Sequence, residues 1–357
     1  MRSPLCVSAG RLALEKVRSS GLPQHSIKVM AGASGGPKWF VLSGLDKVLL
    51  TEYFRDRQTP LDLLGTSAGS WRFSCFCQND PLAAHQRFEQ GYLLTRYSEN
   101  PDIHEISCKA RELVESMIGP NGTEEILNNQ VMRFNLIVVR SHGLLSSERR
   151  PVQMTGLGMA ATANLVNRKL LSYFFTRTLF YHPAYEQSEK PDFFHLNDLP
   201  TDRVRLSSDN LVSAVMASGS IPAVMEGVSD IKGAPEGIYR DGGITDYHFD
   251  LPLHKGDGLV LYPHFYNRMI PGWFDKALKK RRPALENTDN IVLISPSSEF
   301  VASLPYGKIP DRNDFQRCSF EERVRYWERV IRESERLGDC FLELVNSGRI
   351  QEVVKPL

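Results

Sequence analysis

The sequence predicts an α/β fold, a three-layer α/β/α sandwich around a mostly parallel sheet. Short apolar runs bounded by turn residues recur along the chain and read as buried strands, with stretches of helical apolar spacing between them. Twice in the first seventy residues, a strand candidate runs straight into a glycine-bearing turn and then a helix.

Residues 24–30 (QHSIKVM) form the first strand candidate and lead into AGASGGPK. WFVLSGLDKVLLTEYF follows with helical spacing. LDLL at 61–64 is a second strand candidate, followed by GTSAG and SWRFSCFC. Residues 81–127 read as helical, and the apolar run 134–139 as a buried strand. GIYRDG before residue 243, GLVLYP near 260 and NIVLIS near 292 are further strand candidates. In residues 319–347, Val324, Trp327, Ile331, Leu337, Phe341 and Leu344 fall near one stripe, so a long amphipathic closing helix is expected. Repeats and low-complexity linkers are absent. Residues 1–357 are therefore read as one domain, with an irregular insertion at about 144–201 and a C-terminal helical extension.

Composition narrows the function. A chain of 357 residues, 41% hydrophobic and 24% charged, can bury a large core. Lys+Arg 43 against Asp+Glu 42 leaves a net charge of +1, so no global field draws the chain onto nucleic acid or an acidic membrane. Nucleic acid is excluded as a partner, and any membrane contact must be local and transient. No stretch reaches the roughly eighteen apolar residues of a spanning helix, and the opening segment, broken by Arg11, Glu15 and Lys16, reads as neither signal peptide nor anchor. Cys6, Cys75, Cys77, Cys108, Cys318 and Cys340 are scattered without zinc-site spacing, so reduced thiols in a cytoplasmic protein, peripheral at a membrane if attached at all, are expected. No metal and no cofactor are expected.

Gly65, Thr66, Ser67, Ala68 and Gly69 spell G-x-S-x-G between a strand and a helix, where a serine hydroxyl can be held exposed on a sharp turn. Gly65 and Gly69 leave room at that elbow. The helix after Ser67 points backbone N–H groups at the place where an oxyanion would form. The competing reading is an ordinary turn with a capping serine. Upstream, Gly32, Ala33, Ser34, Gly35, Gly36, Pro37 and Lys38 form a second glycine turn. A phosphate loop is disfavoured because Pro37 and Trp39 replace the glycine and hydroxyl residue it needs, and a dinucleotide loop because the glycine spacing is imperfect. As an oxyanion hole, the amides of Gly35 and Gly36 would receive a substrate carbonyl, with Lys38 steadying the loop or facing a lipid phosphate. Downstream, Asp241, Gly242 and Gly243 put a carboxylate in an open turn.

Together these segments resemble the patatin-like phospholipase family: ASGGPK, GTSAG, ASGSIPAV around Pro222, and DGG, in the family's order over about residues 27–250. The resemblance implies a patatin-like α/β/α sandwich, a Ser/Asp dyad and hydrolysis of lipid acyl esters. Ser67 would be the nucleophile, Asp241 its base, and Gly35 and Gly36 the oxyanion donors. The family usually carries a glycine run followed by Arg where this chain has Lys38, and a lysine does not reproduce a planar guanidinium fork.

Two rivals stand beside this reading. His248, His254 and His264 follow Asp241, so the chain order of an α/β-hydrolase Ser, Asp, His triad is available. A non-catalytic lipid-binding module could share the same turns. For lipid contact, residues 170–185 crowd Tyr173, Phe174, Phe175, Phe180, Tyr181 and Tyr185, which read either as a core-facing helix or as an acyl pocket or bilayer contact. Lys279, Lys280, Arg281 and Arg282 form a basic run that reads as a solvated patch or as a headgroup contact.

Overall fold

The computed structural model describes residues 3–357; Met1 and Arg2, which open the N-terminal stretch considered above, lie outside the described residues. In chain order the elements that position the site are β1 (Leu5–Ala9), α1 (Arg11–Ser20), β2 (Ile27–Gly32), α2 (Ser43–Val48), β3 (Leu61–Thr66), α3 (Ala68–Phe76), α4 (Pro81–Leu93), α5 (Ile103–Asn128) and β4 (Met132–Ser141). They continue with α6 (Arg150–Val166), β5 (Phe175–Tyr181), β6 (Thr201–Arg205), α7 (Leu211–Gly219), β7 (Val228–Ser229), β8 (Ile238–Asp241), α8 (Gly243–Asp246), β9 (Leu259–Pro263), β10 (Ile291–Pro296), the closing helix Phe320–Asn346 and β11 (Lys355–Pro356).

The strands form one sheet in the order β11-β1-β10-β9-β2-β3-β4-β5-β6, with β8 on β4 and β7 on β8. The centre, β10-β9-β2-β3-β4, is parallel, which explains its unbroken Val, Ile and Leu runs: helices cover both faces. Antiparallel pairing enters where β1 meets β10 and where β5 and β8 meet β4. The result is a mixed α/β fold with a large, mostly parallel sheet.

Two expectations need correction. Residues 144–201 are not irregular throughout, because they hold the 17-residue α6 and the strand β5, with 3-10 turns and loop from 182 to 200. The aromatic stretch 170–185 is accordingly no single core-facing helix; short 3-10 turns at Arg168–Tyr173 and Pro183–Glu186 flank a strand. Residues 175–181 are a strand buried on both faces except at Tyr181, and Tyr185 donates to Asp62 at 2.6 Å in the interior. Phe175 and Phe180 are core side chains. With both faces covered, the alternation that marks a strand is lost.

The closing helix begins at a capping box, Ser319 with Glu322. It packs closely on α2: a Cβ on Gly44 would lie 2.4 Å from backbone atoms of Ser334 and Glu335, and one on Gly338 would lie 2.6 Å from the Gly44 carbonyl. It thereby clamps the segment that carries the upstream glycine turn. Among the described residues no helix is long and apolar enough to cross a membrane.

Candidate active site

Sheet register brings Ser67 and Asp241 together. β3 pairs along one edge of β4 as far as Thr66 opposite Ile137. β5 occupies the other edge of β4 from Leu136 to Ser141, so β8, which pairs with Val138–Ser141, must continue the edge that β3 leaves. β8 runs antiparallel and ends at Asp241 opposite Val138, one position beyond the end of β3. The carboxylate therefore meets the residue that follows β3. The Ser67 hydroxyl donates to Asp241 Oδ2 at 2.8 Å, across 174 residues of chain.

Ser67 sits at φ 52°, ψ −126°, a left-handed conformation for a residue with a side chain, at a cost of about 1–3 kcal/mol. Its surroundings hold it there. The Ser67 amide donates to Ser218 Oγ at 2.9 Å, and Ser218 Oγ donates in turn to the Ile137 carbonyl at 2.9 Å. The elbow glycines are needed for space: a Cβ on Gly65 would stand 2.5 Å from the Ser70 amide nitrogen, and one on Gly69 only 2.0 Å from the Gly32 carbonyl oxygen. That Gly69–Gly32 contact seats the start of α3 on the end of β2, where the upstream glycine turn begins.

The turn itself is tied down by side chains. Ser34 Oγ and Thr66 Oγ1 are hydrogen-bonded at 2.8 Å, Thr66 Oγ1 donates to the Asp246 carbonyl at 3.1 Å, and the Ser34 amide donates to the Tyr247 carbonyl at 3.1 Å. Gly36 has φ 55°, and a Cβ on Gly35 would lie 2.5 Å from the Phe265 ring. Gly35, Gly36 and Lys38 line a cleft of about 50 Å³ together with Ser67 and Asp241, walled also by Pro222, Tyr247, Trp273, Lys276 and Arg312.

Asp241 is buried, with Oδ1 accepting the Gly243 amide at 2.7 Å. Burial raises its pKa to about 6, against the opposing pull of the Ser67 and Gly243 hydrogen bonds and of the Arg312 and Lys276 charges. Beneath the turn, Arg177 grips Asp246 with two hydrogen bonds of 2.8 Å and also pairs with Asp198 at 2.7 Å. This fixes α8 directly after the DGG turn.

Among the described residues, three basic side chains, Lys38, Lys276 and Arg312, line the cleft beside this single carboxylate. Burial lowers the pKa of Lys38. The Lys276 ammonium lies 4.1 Å from the centre of the Tyr247 ring, and withdrawal of that end from water, with Lys38 and Arg312 as like charges nearby, brings its pKa down to about 7 while the outer face of the side chain stays exposed. Arg312 arrives on a loop anchored by Asp314, which accepts from Lys308 at 2.5 Å and from Trp327 Nε1 at 3.1 Å. The cleft thus favours species that gain negative charge.

The histidines lie elsewhere. His248 and His264 are fully buried, and burial lowers both pKa values. Their Nδ1 atoms accept the Ile270 and Tyr266 amides. His254 accepts the Gly258 amide at 3.0 Å. None of the three lines the cleft, and both Asp241 oxygens are taken by Ser67 and Gly243. Sequence reasoning did not find Ser218, Lys276 or Arg312 as site residues. Ser218 lies within ASGSIPAV, so that segment held a signal; Lys276 and Arg312 sit in loops without any motif.

No family model matches the chain, and no curated protein does. Among solved structures it is similar to VipD from Legionella pneumophila, at 12% identity and a TM-score of 0.34, over 74% of this chain and 54% of that one. The chain therefore spans about half the length of VipD.

Proposed function

We propose that this chain is a patatin-like serine acyl hydrolase in which Ser67 attacks an acyl ester and Asp241 is its base. The observation that carries the reading is the direct 2.8 Å hydrogen bond from Ser67 to a buried carboxylate, made at a strained turn in a cleft lined by a glycine loop. A carboxylate with a pKa near 6 is ionised at neutral pH yet more basic than a solvated aspartate. In the first step the Ser67 proton passes to Asp241 Oδ2, Oγ bonds to the ester carbon, and the carbonyl electron pair moves onto oxygen. Gly35, Gly36 and the first turn of α3 are the donors assigned to that oxyanion, with Lys38 as a nearby charge. Collapse expels the alcohol, which takes the proton from Asp241. Water then attacks the acyl-enzyme, giving its proton to Asp241 as the tetrahedral adduct forms, and Ser67 recovers a proton as the acid leaves.

Lipid acyl esters are the proposed substrate class, at a peripheral membrane site on the cytoplasmic side. One observation favours a second reading, a small acyl ester that carries an anionic group: the cleft is only about 50 Å³ and is faced by Lys38, Lys276 and Arg312. A panel of p-nitrophenyl esters of increasing chain length, with phospholipid and anionic short esters beside them, separates the two. A fluorophosphonate probe tests the common core. Labelling lost in Ser67→Ala supports an activated serine, whereas an unlabelled native protein that still binds lipid would make the chain a non-catalytic module.

A further inference from the structure

Helix α6 is unusual for a surface helix. Between Arg150 and Arg168 the sequence PVQMTGLGMAATANLVN contains no charged residue. Its buried face is Gln153, Gly156, Leu157, Ala160 and Asn164. The opposite face carries Met154, Gly158, Met159, Ala161, Leu165 and Val166, all exposed. At about 100° per residue these six fall within an arc of about 160°, along a helix about 25 Å long. Met154 and Met159 are half exposed, and Leu165 and Val166 are exposed by 60% and 76%. Tyr173, just beyond, is exposed by 76%. Surface helices normally place charge on this face.

The charge lies at the rim instead. Arg149 and Arg150 are exposed at the N-terminus, where no acidic residue stands in the first turn. Cations there oppose the helix dipole, so they do not serve helix stability. At the other end, Arg281 donates to the Asn164 carbonyl at 2.8 Å, which ties the run carrying the exposed Lys279, Lys280 and Arg282 to the last turn of α6, and exposed Lys169 follows that helix in the chain. Glu148, the acidic residue before Arg149, is paired with Arg240 at 2.7 Å.

The underside of α6 connects to the cleft. Gln153 accepts the amide of Ala223, beside Pro222, at 2.5 Å, and Asn164 donates to Asp275, beside Lys276, at 2.7 Å. Pro222 and Lys276 both line the cleft. We propose that α6 is an interfacial docking helix: its uncharged face rests on an anionic bilayer, its basic ends hold the headgroups, and the cleft is thereby held at the membrane surface. This names the partner surface of the proposed acyl hydrolase and rests on that reading for its purpose, though not for its test. The helix is too short, and its underside too firmly bonded, for it to span the membrane.

The test uses full-length Ser67→Ala protein, so partition is read without turnover. Flotation with vesicles of phosphatidylcholine, alone or mixed with phosphatidylserine, should show binding that is much stronger on the mixed vesicles and weakens with added salt. Met154→Asp/Leu165→Asp should reduce that binding by about tenfold or more. Lys279→Ala/Lys280→Ala should reduce it by up to about thirtyfold on mixed vesicles and leave phosphatidylcholine unchanged. In the Ser67 background neither pair should change turnover of a soluble short-chain ester, because neither touches the cleft. If the Met154/Leu165 pair loses its near-ultraviolet dichroism, the lysine pair decides. Absence of vesicle binding, or binding that the decisive variants leave intact, overturns the proposal. So does a concentration-dependent dimer that Met154→Asp/Leu165→Asp dissolves in a protein that ignores vesicles.

Discussion

Asp241→Asn should abolish turnover and make the protein more stable at alkaline pH. In the folded chain the Asp241 pKa is about 6, against the ordinary aspartate value of 3.8. At about 1.4 kcal/mol per tenfold change in acidity, that difference corresponds to about 3 kcal/mol. The sign follows from proton binding. Below the unfolded pKa both states hold the proton, and the group does not affect stability. Between the two values the unfolded chain releases a proton that the native protein keeps, so stability falls as pH rises. Above about 6 both states are ionised and the full cost of the buried charge is present. Asparagine removes that charge while keeping both contacts: its carbonyl can accept the Gly243 amide, and its NH2 can donate to Ser67 Oγ. At pH 8 the variant should therefore gain up to about 3 kcal/mol, or about 4 °C in Tm for a chain of this length. At pH 5 about half of that remains, and near pH 4 little is left. Thermal or urea denaturation of both proteins across this range measures the difference. An Asn variant no more stable than wild type at pH 8, or one with the same gain at pH 4, would refute the claim that the carboxylate is held ionised against its surroundings.

Ser67→Ala should abolish hydrolysis of a short p-nitrophenyl ester while leaving the circular dichroism spectrum unchanged. The wild-type rate should rise with pH through about 6 as Asp241 ionises, and because the Arg312 charge lowers that pKa, Arg312→Ala should move this limb to higher pH; a limb that stays in place argues against Asp241 as the base. Arg177→Met leaves Asp246 buried without its bidentate partner, and should cost about 3–5 kcal/mol of stability by urea denaturation. Single substitution of His248, His254 or His264 by Gln should leave kcat within about tenfold of wild type, whereas a drop of roughly a hundredfold or more at one of them would favour a triad.

What was legible in the sequence was whatever is encoded locally. Each central parallel strand shows as an apolar run because both faces are covered, and the turns at 65–69 and 241–243 show as glycines because a Cβ would collide with backbone at Gly65, Gly69 and Gly242 and with the Ser34 side chain at Gly243. β1 and β5 did not show. β1 is five residues long and is defined by pairing with residues 291–296 far along the chain. β5 interrupts its apolar run with Thr176, Arg177 and Thr178, and the buried charge of Arg177 is matched by Asp198 and Asp246, partners that no local pattern announces. The same division runs through the cleft. Ser67, Asp241 and the glycine loop sit on strand ends, so topology alone can bring them to one edge of the sheet. Lys276 and Arg312 are delivered by loops whose geometry depends on packing against Tyr247 and, through Asp314, on Trp327 of the closing helix. Residues of that second kind set the charge of the cleft. It follows that the reacting groups of such a site can be proposed from spacing, while its preference among substrates is written in side chains that only the tertiary structure brings into view.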